Sequence, residues 1–293
     1  VVIATSSPPA GLPGAALEPA ANVLAETGAA PVVIERAREA ACVVLDLTAD
    51  APLAAATMLH MARHGQDEPL ELTAAQRQQL GAPAMRLADE LERLGEFQLD
   101  DRWSSGERLP ARQAETVRKM LLAVVGDPRL VIARLAAQLV RLRHARKESA
   151  ARRRQIALEV QELYAPLANR LGIWSVKWEL EDLAFRESHP QEYQRLKAAL
   201  NEKRRDREQY IQGVIRTLEQ AMRRAGIDAE VTGRPKHIYS IWRKMQRKRL
   251  AFDQILDLRA VRIIVATVAD CYAALGVVHE LWPFLPNEFD DYI

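Results

Sequence analysis

This chain has little that would support disulfides, thiolate metal sites or a membrane span. Of its 293 residues only two are cysteine, Cys42 and Cys271, far apart in unrelated contexts. That excludes a disulfide framework and a cysteine-based zinc site, and it fits a reducing compartment. No apolar run reaches the roughly 18 to 20 residues a membrane helix needs. Charge of one sign is also lacking. The formal net charge is +2, so no general nucleic-acid coat is indicated and any anion binding must come from local clusters. Histidine is absent before His60. The start, Val1-Val-Ile-Ala, has no Met and no charged n-region, and reads as a cut end rather than a signal peptide. Asp290-Asp-Tyr-Ile293 at the other end reads as a truncation too. What is present is ordinary for soluble globular protein: 48% hydrophobic and 27% charged residues, with length enough for two domains.

Residues 1–20 are rich in Ala, Pro and Gly and are expected to be poorly ordered. From 21 to about 190 nearly everything reads as helix. Pro31–Thr48 and Pro52–His64 each open on proline, which suits a first helical turn. Thr73-Ala-Ala-Gln76 has the form of a capping box. Pro83–Leu94 should stop at Gly95 and Pro110–Val125 at Gly126, with Gln98–Leu109 an exposed loop between them. Pro128–Lys147 carries Val131, Leu135, Leu139 and Leu142 at helical spacing. Arg152–Asn169 and Trp174–Arg186 flank Gly172, and Pro190–Ala225 is one long charged helix or a pair, ending at Gly226. Then the texture changes. A strand (Ala229–Thr232), a Gly turn, a helix (Lys236–Lys248), a buried strand (Arg259–Ala266) and a helix (Val268–Trp282) imply an α/β unit, with the boundary near 190.

The stretch from Gly233 to Lys248 holds six lysines and arginines and no acid. Lys236, Ser240, Lys244 and Lys248 recur every four residues and form one polar stripe on a helix. Ile238, Ile241, Trp242 and Met245 form the apolar side. A helix start with free N–H groups, joined by lysines, suits a polyphosphate. Asp257, just before the second strand, suits a divalent metal, since magnesium binds through one or two carboxylates plus substrate phosphates. Arg259 and Arg262 need not share a face. Glu288-Phe-Asp-Asp291 adds three more carboxylates. Taken singly, each feature also has a bland reading: a solvated helix face, a turn aspartate, a structural His237, a surface acidic turn.

Together these segments resemble the synthetase domain of the RelA/SpoT family. The resemblance is carried by Gly233-Arg-Pro-Lys-His-Ile-Tyr-Ser-Ile-Trp-Arg-Lys-Met245, Asp257-Leu-Arg-Ala-Val-Arg262, Cys271–His279 and Phe289-Asp-Asp-Tyr292. Tyr164–Ile173 and Lys177–Asp182 resemble the family's connecting core. The resemblance implies an α+β multidomain protein, in which an all-helical HD-type pseudo-hydrolase domain precedes a partial α/β nucleotidyltransferase-like synthetase domain. The implied layout is a disordered segment over 1–20, a degenerate HD-type hydrolase over 21–150, a connecting core over 151–190, and a synthetase domain over 191–293, truncated at its C-terminal side. The implied reaction is transfer of pyrophosphate from ATP to the 3′-hydroxyl of GTP or GDP, giving (p)ppGpp. Arg234, Lys236, His237, Ser240 and Lys244 would form the ATP and phosphate site. Asp257 would bind Mg2+ and join Arg262 in the catalytic set. Glu288, Asp290 and Asp291 match the acidic motif of the synthesis-only, RelA-like branch. The guanine-stacking tyrosine and the base that activates the acceptor hydroxyl belong to a Gly-Tyr-Gln-Ser segment and a later glutamate, both expected beyond residue 293. The resemblance also implies a cytoplasmic protein with no membrane association, and a ribosome and uncharged-tRNA partnership through C-terminal domains.

The helical half sits where the family carries a metal-dependent HD hydrolase, whose site needs an upstream His, a His-Asp pair and a later Asp. Here His60 is followed by Met61, and Arg134-Leu-Ala-Ala-Gln-Leu139 places Ala137 in the later Asp position. His60 and His64 are spaced i, i+4, but on an apolar helix a structural role outweighs metal ligation. This half is expected to be a non-hydrolysing scaffold. Two other readings stand beside the enzyme: a non-catalytic nucleotide-binding regulator, and an RNA-binding module using Lys236–Arg249.

Overall fold

The computed structural model describes residues 15–66, 69–96, 127–202, 204–235, 237–255 and 259–283, in two compact units that part between His189 and Pro190. The expected loop Gln98–Leu109 and helix Pro110–Val125 lie outside the described residues.

In the first unit, local sequence sets the helix ends. Helical structure lies on the near side of the expected edge at 21: Leu17 and Ala20 are buried, and α1 spans Glu18–Glu26. Helix α2 (Pro31–Thr48) has proline at its first position, and its end is closed by Ala49 in the left-handed region, whose N–H donates to Leu45 O. Helix α3 (Ala51–Arg63) is capped by Asp50, which accepts from the Leu53 N–H at 3.0 Å. Thr73 and Gln76 form the reciprocal cap of α4 (Ala74–Leu80). Then follow α5 (Ala82–Glu96), α6 (Arg129–Arg143), α7 (Ala150–Glu159), α8 (Ala165–Arg170) and α9 (Trp174–Ser188).

Between α7 and α8 the chain stays helical but widens into a π turn, Val160–Tyr164, closed by the Ala165 N–H on Val160 O. Pro166 supplies the reason. A proline ring inside a helix clashes with the carbonyl four residues back and removes a donor, and a wider turn just before it relieves both.

Helix α6 is buried on two sides. Leu130, Ala133, Ala136 and Val140 join the core built by α1–α5. Val131, Leu135, Leu139 and Leu142 join a second core with the π turn, α7, α8 and α9. Small residues let the helices approach: Ala37, Ala40 and Ala41 on α2 and Ala54 and Ala56 on α3 are fully buried. At the end of α6, Arg143 donates to Glu39 of α2 at 2.8 Å and to both oxygens of Glu179 of α9 at 2.6 and 2.7 Å, while His144 Nε2 lies 2.7 Å from Glu39.

The second unit contains α10 (Pro190–Glu202), α11 (Arg204–Arg224), β1 (Ala229–Pro235), α12 (Ile238–Lys248), β2 (Arg259–Val265) and α13 (Val268–Leu281). Helix α11 ends at Gly226, whose φ of +70° only glycine adopts easily, and the Ile227 N–H closes the turn on Met222 O. The strands form one antiparallel pair, from Ala229 opposite Val265 to Pro235 opposite Arg259. Val231, Leu218, Met222 and Ala274 form the core, flanked by Val261, Ile263 and Val265. Two expectations change. Gly233 is not a turn but a strand residue opposite Val261, and α12 starts at Ile238 rather than Lys236. The glycine answers to packing: a Cβ there would lie 2.7 Å from Ile211 Cγ2 of α11.

Gly233→Ala should therefore destabilise the protein by about 1–3 kcal/mol through overpacking, read as a lower urea midpoint; an unchanged midpoint would mean that α11 can step back from the strand. A second prediction concerns acid. Burial alone would raise the Glu39 carboxyl, but hydrogen bonds from His144 and Arg143 override it and leave it below its ordinary 4.5. A depressed carboxylate contributes stability that is fully present above 4.5 and is lost as pH falls through the folded value. Glu39→Gln should flatten the acid limb of a stability–pH curve below that point and leave its slope near neutrality unchanged.

Candidate functional site

In the second unit, α12 carries Ser240, Lys244 and Lys248 of the expected stripe; Lys236 lies outside the described residues. Ile241 is fully buried and Ile238, Trp242 and Met245 are half-buried beside it, so the apolar side faces inward. Tyr239 and Trp242 stack with ring centroids 5.8 Å apart. Ser240, Lys244 and Lys248 run along the polar side, and Arg243 and Arg247 are exposed. His237 is the N-cap, with extended backbone (φ −67°, ψ 143°) and no capping bond from its side chain. The helix closes with Arg249 at φ +53°, donating to Met245 O.

The ladder places the neighbouring arginines. Arg262 pairs with Thr232, and the register position of Arg234 pairs with Ala260. Both are on the ladder face opposite to Val231, Val261 and Ile263, while position 259 is on the other face. The ladder end where Pro235 pairs with Arg259 is the one from which the sequence runs on to Lys236 and His237 and is entered from Asp257. Of the expected site residues, His237, Ser240, Lys244 and Arg262 are thus placed. The Arg234 side chain, Lys236, Asp257, Glu288, Asp290 and Asp291 lie outside the described residues.

The first unit holds a second cluster, around His60. His60 on α3 is 4% exposed. Its Nδ1 lies 3.0 Å from Glu92 Oε1 on α5, and His64 Nε2 lies 3.0 Å from Glu92 Oε2. On the other side of the ring, Arg134 Nη1 of α6 lies 3.1 Å from His60 Nε2. Arg134 Nη2 donates to the Tyr164 hydroxyl at 3.3 Å, which also accepts from Gln138 Nε2 at 3.4 Å. Arg63 Nη1 stands 3.6 Å from Glu92 Oε1. Burial pushes the His60 pKa down, and the bond to Glu92 only partly offsets this. Burial would raise Glu92, yet the two histidine hydrogen bonds hold it far below the usual carboxylate range. Burial raises the Tyr164 hydroxyl. Met61 and Ala137 supply no carboxylate.

Glu92 and Arg134 are the residues that sequence reasoning missed as partners. Glu92 has one readable signal: it sits at the edge of the apolar stripe Ala84, Leu87, Ala88, Leu91 and Leu94 of α5. A carboxylate there must find a partner as the stripe packs, but the sequence does not say which helix provides it.

Comparison with known proteins agrees with this division. Residues 16–174 match the HD domain family, and residues 233–293 match the region found in RelA / SpoT proteins. A GTP pyrophosphokinase of Photobacterium angustum is 42% identical over 273 residues, covering 93% of this chain and 36% of the relative. The Escherichia coli protein of the same name is 51% identical over 187 residues, 64% of this chain and 25% of the relative. That of Myxococcus xanthus is 40% identical over 213 residues, 73% and 28%. The chain thus spans about a third or less of the length of these relatives. The HD match runs across the connecting core as far as 174, beyond the expected domain edge at 150. With an HD domain over its helical unit and the RelA/SpoT region over its strands, the chain belongs to the RelA/SpoT family.

Proposed function

We propose that the whole protein makes (p)ppGpp, transferring pyrophosphate from ATP to the 3′-hydroxyl of GTP or GDP, and that this chain carries the ATP side of the site. The observation that carries the reading is the acid-free stripe Ser240–Lys244–Lys248 on α12, within the region matched to RelA / SpoT proteins. Phosphoryl transfer is catalysed by positioning and by charge stabilisation. Lys236, His237, Ser240 and Lys244 bind ATP phosphates, Arg234 holds the base or phosphates, and Arg262 acts beside the reacting groups. Asp257 fits Mg2+ on donor chemistry, as a hard oxygen ligand that would share the ion with substrate phosphates; Glu288, Asp290 and Asp291 add to the local field. Bound there, magnesium would supply charge neutralisation on the transferred group.

The helical unit is a scaffold without hydrolase activity. Met61 and Ala137 in the ligand positions, and a guanidinium in contact with His60, support this. Synthesis belongs to the stringent response in the cytoplasm, with ribosome and uncharged tRNA engaged through C-terminal domains. Among the described residues no helix is long and apolar enough to cross a membrane.

The test is ATP-plus-GTP turnover by this chain beside the natural chain extended by about 100 residues, a typical domain length. The longer chain should turn over and the shorter should only bind ATP. In the longer chain Asp257→Ala should abolish synthesis; retained activity removes Asp257 from the metal role. Lys244→Ala should weaken ATP binding roughly tenfold, the loss of one charge-assisted hydrogen bond. Steeply salt-dependent RNA binding without turnover would overturn the enzyme reading. Manganese-dependent pyrophosphate release from ppGpp by this chain would refute the scaffold reading.

A further inference from the structure

The cluster around His60 has a chemistry of its own, independent of nucleotide transfer. One ligand atom each from His60 on α3, His64 at its C-cap and Glu92 on the adjoining α5 lie within 4.8 Å of one another. Two imidazole nitrogens and one carboxylate are a donor set for zinc-class ions. His64 is more than half exposed, so the cluster opens to solvent on that side. It uses neither of the positions, 61 and 137, at which an HD hydrolase would need aspartate.

Arg134 decides whether the donors are usable. A guanidinium has five N–H donors and no acceptor. Its Nη1, 3.1 Å from His60 Nε2, forms a hydrogen bond only if that nitrogen accepts. The ring proton then sits on Nδ1 and is donated to Glu92 Oε1 at 3.0 Å. A histidine that binds metal through Nδ1 carries its remaining proton on Nε2, where it would meet the Arg134 N–H head on. Partners behind metal-bound histidines accept that proton; Arg134 cannot. Arg134 is fixed from its other side by Tyr164, and Arg63, which also lies 3.9 Å from Asp89, adds a second positive charge next to Glu92.

We propose that His60, His64 and Glu92 form a latent site for a zinc-class divalent ion, in which the Arg134 guanidinium is the resident cation and holds the site closed. The arginine fixes the His60 tautomer, satisfies the buried ring and repels a divalent ion.

Two measurements on the whole chain test this. Long-range 1H–15N correlation spectra of the wild-type histidine rings should show His60 protonated at Nδ1 and bare at Nε2; the reverse tautomer overturns the proposal. Calorimetric Zn2+ titration should show Arg134→Met binding roughly 10- to 100-fold tighter than wild type, the scale of partner effects on metal sites. Adding His64→Ala should remove that gain, and Arg134→Lys, which keeps a donor cation, should stay at the wild-type level. Wild type binding as tightly as Arg134→Met, or no gain in Arg134→Met with its helical signal intact, overturns the proposal. If Arg134→Met loses its helical signal, the wild-type tautomer decides.

Discussion

Helix α6 has to be buried on two faces at once, and the helical unit depends on that requirement. Leu130 and Val140 fill one core, and Leu135, Leu139 and Leu142 the other. Each fully buried leucine contributes roughly 1.5–3 kcal/mol relative to exposure. A helix apolar all round would satisfy both cores but would not fix its own rotation between them. Arg134 and Gln138, four residues apart, run between the two stripes and break that degeneracy. They point α6 at Tyr164 on one side and, through Arg134, at His60 on the other. Burying a guanidinium is costly unless its donors are met, so the chain His64–Glu92–His60–Arg134–Tyr164 follows from putting arginine on this seam. It joins α3, α5, α6 and the π turn, so the polar seam and both apolar cores are held in one register.

The same polar seam ties α3 to α5 without coordinate bonds. Here Glu92 does so with two hydrogen bonds to histidine, strengthened by the burial that keeps His60 neutral. Removing Glu92 would leave the buried His60 ring with Nδ1 unmet, which costs more than the bond contributes.

Much of this was legible in the sequence where the cause is local. The box at Thr73 and Gln76, the prolines that open α2 and α3, the stop at Gly226 and the apolar run that marks a strand from Arg259 all depend on neighbours within a few residues. The side-by-side placing of Ser240 and Lys244 is equally local, because helical spacing alone sets it. Reading failed where the cause is distant. Gly233 looks like turn chemistry beside Pro235, but its reason is Ile211, on the preceding helix α11. His60 and His64 could be read as a pair. Their partners Glu92 and Arg134 lie 32 and 74 positions from His60, and no periodicity connects such separations. The buried Leu17 and Ala20 were hidden by a composition that suggested disorder.

Helix α12 breaks a local rule that the rest of the chain respects. Arg243 with Arg247, and Lys244 with Lys248, set like charges at i, i+4, each pair unfavourable by a few tenths of a kcal/mol, about the size of a favourable pair. No acid on the helix offsets them. Arg247 and Lys248 recover part of the loss, because the last turn presents the negative end of the helix dipole. Arg243 and Lys244 lie further from that end and recover less. Burial of Ile241, with Trp242 and Met245 packed beside it, holds the helix in place despite this. A fold tolerates such a conflict between local electrostatics and global packing mainly where function requires it. The charged side chains that α12 itself carries are all of one sign, on the side away from Ile241, which is the pattern the proposed phosphate site calls for.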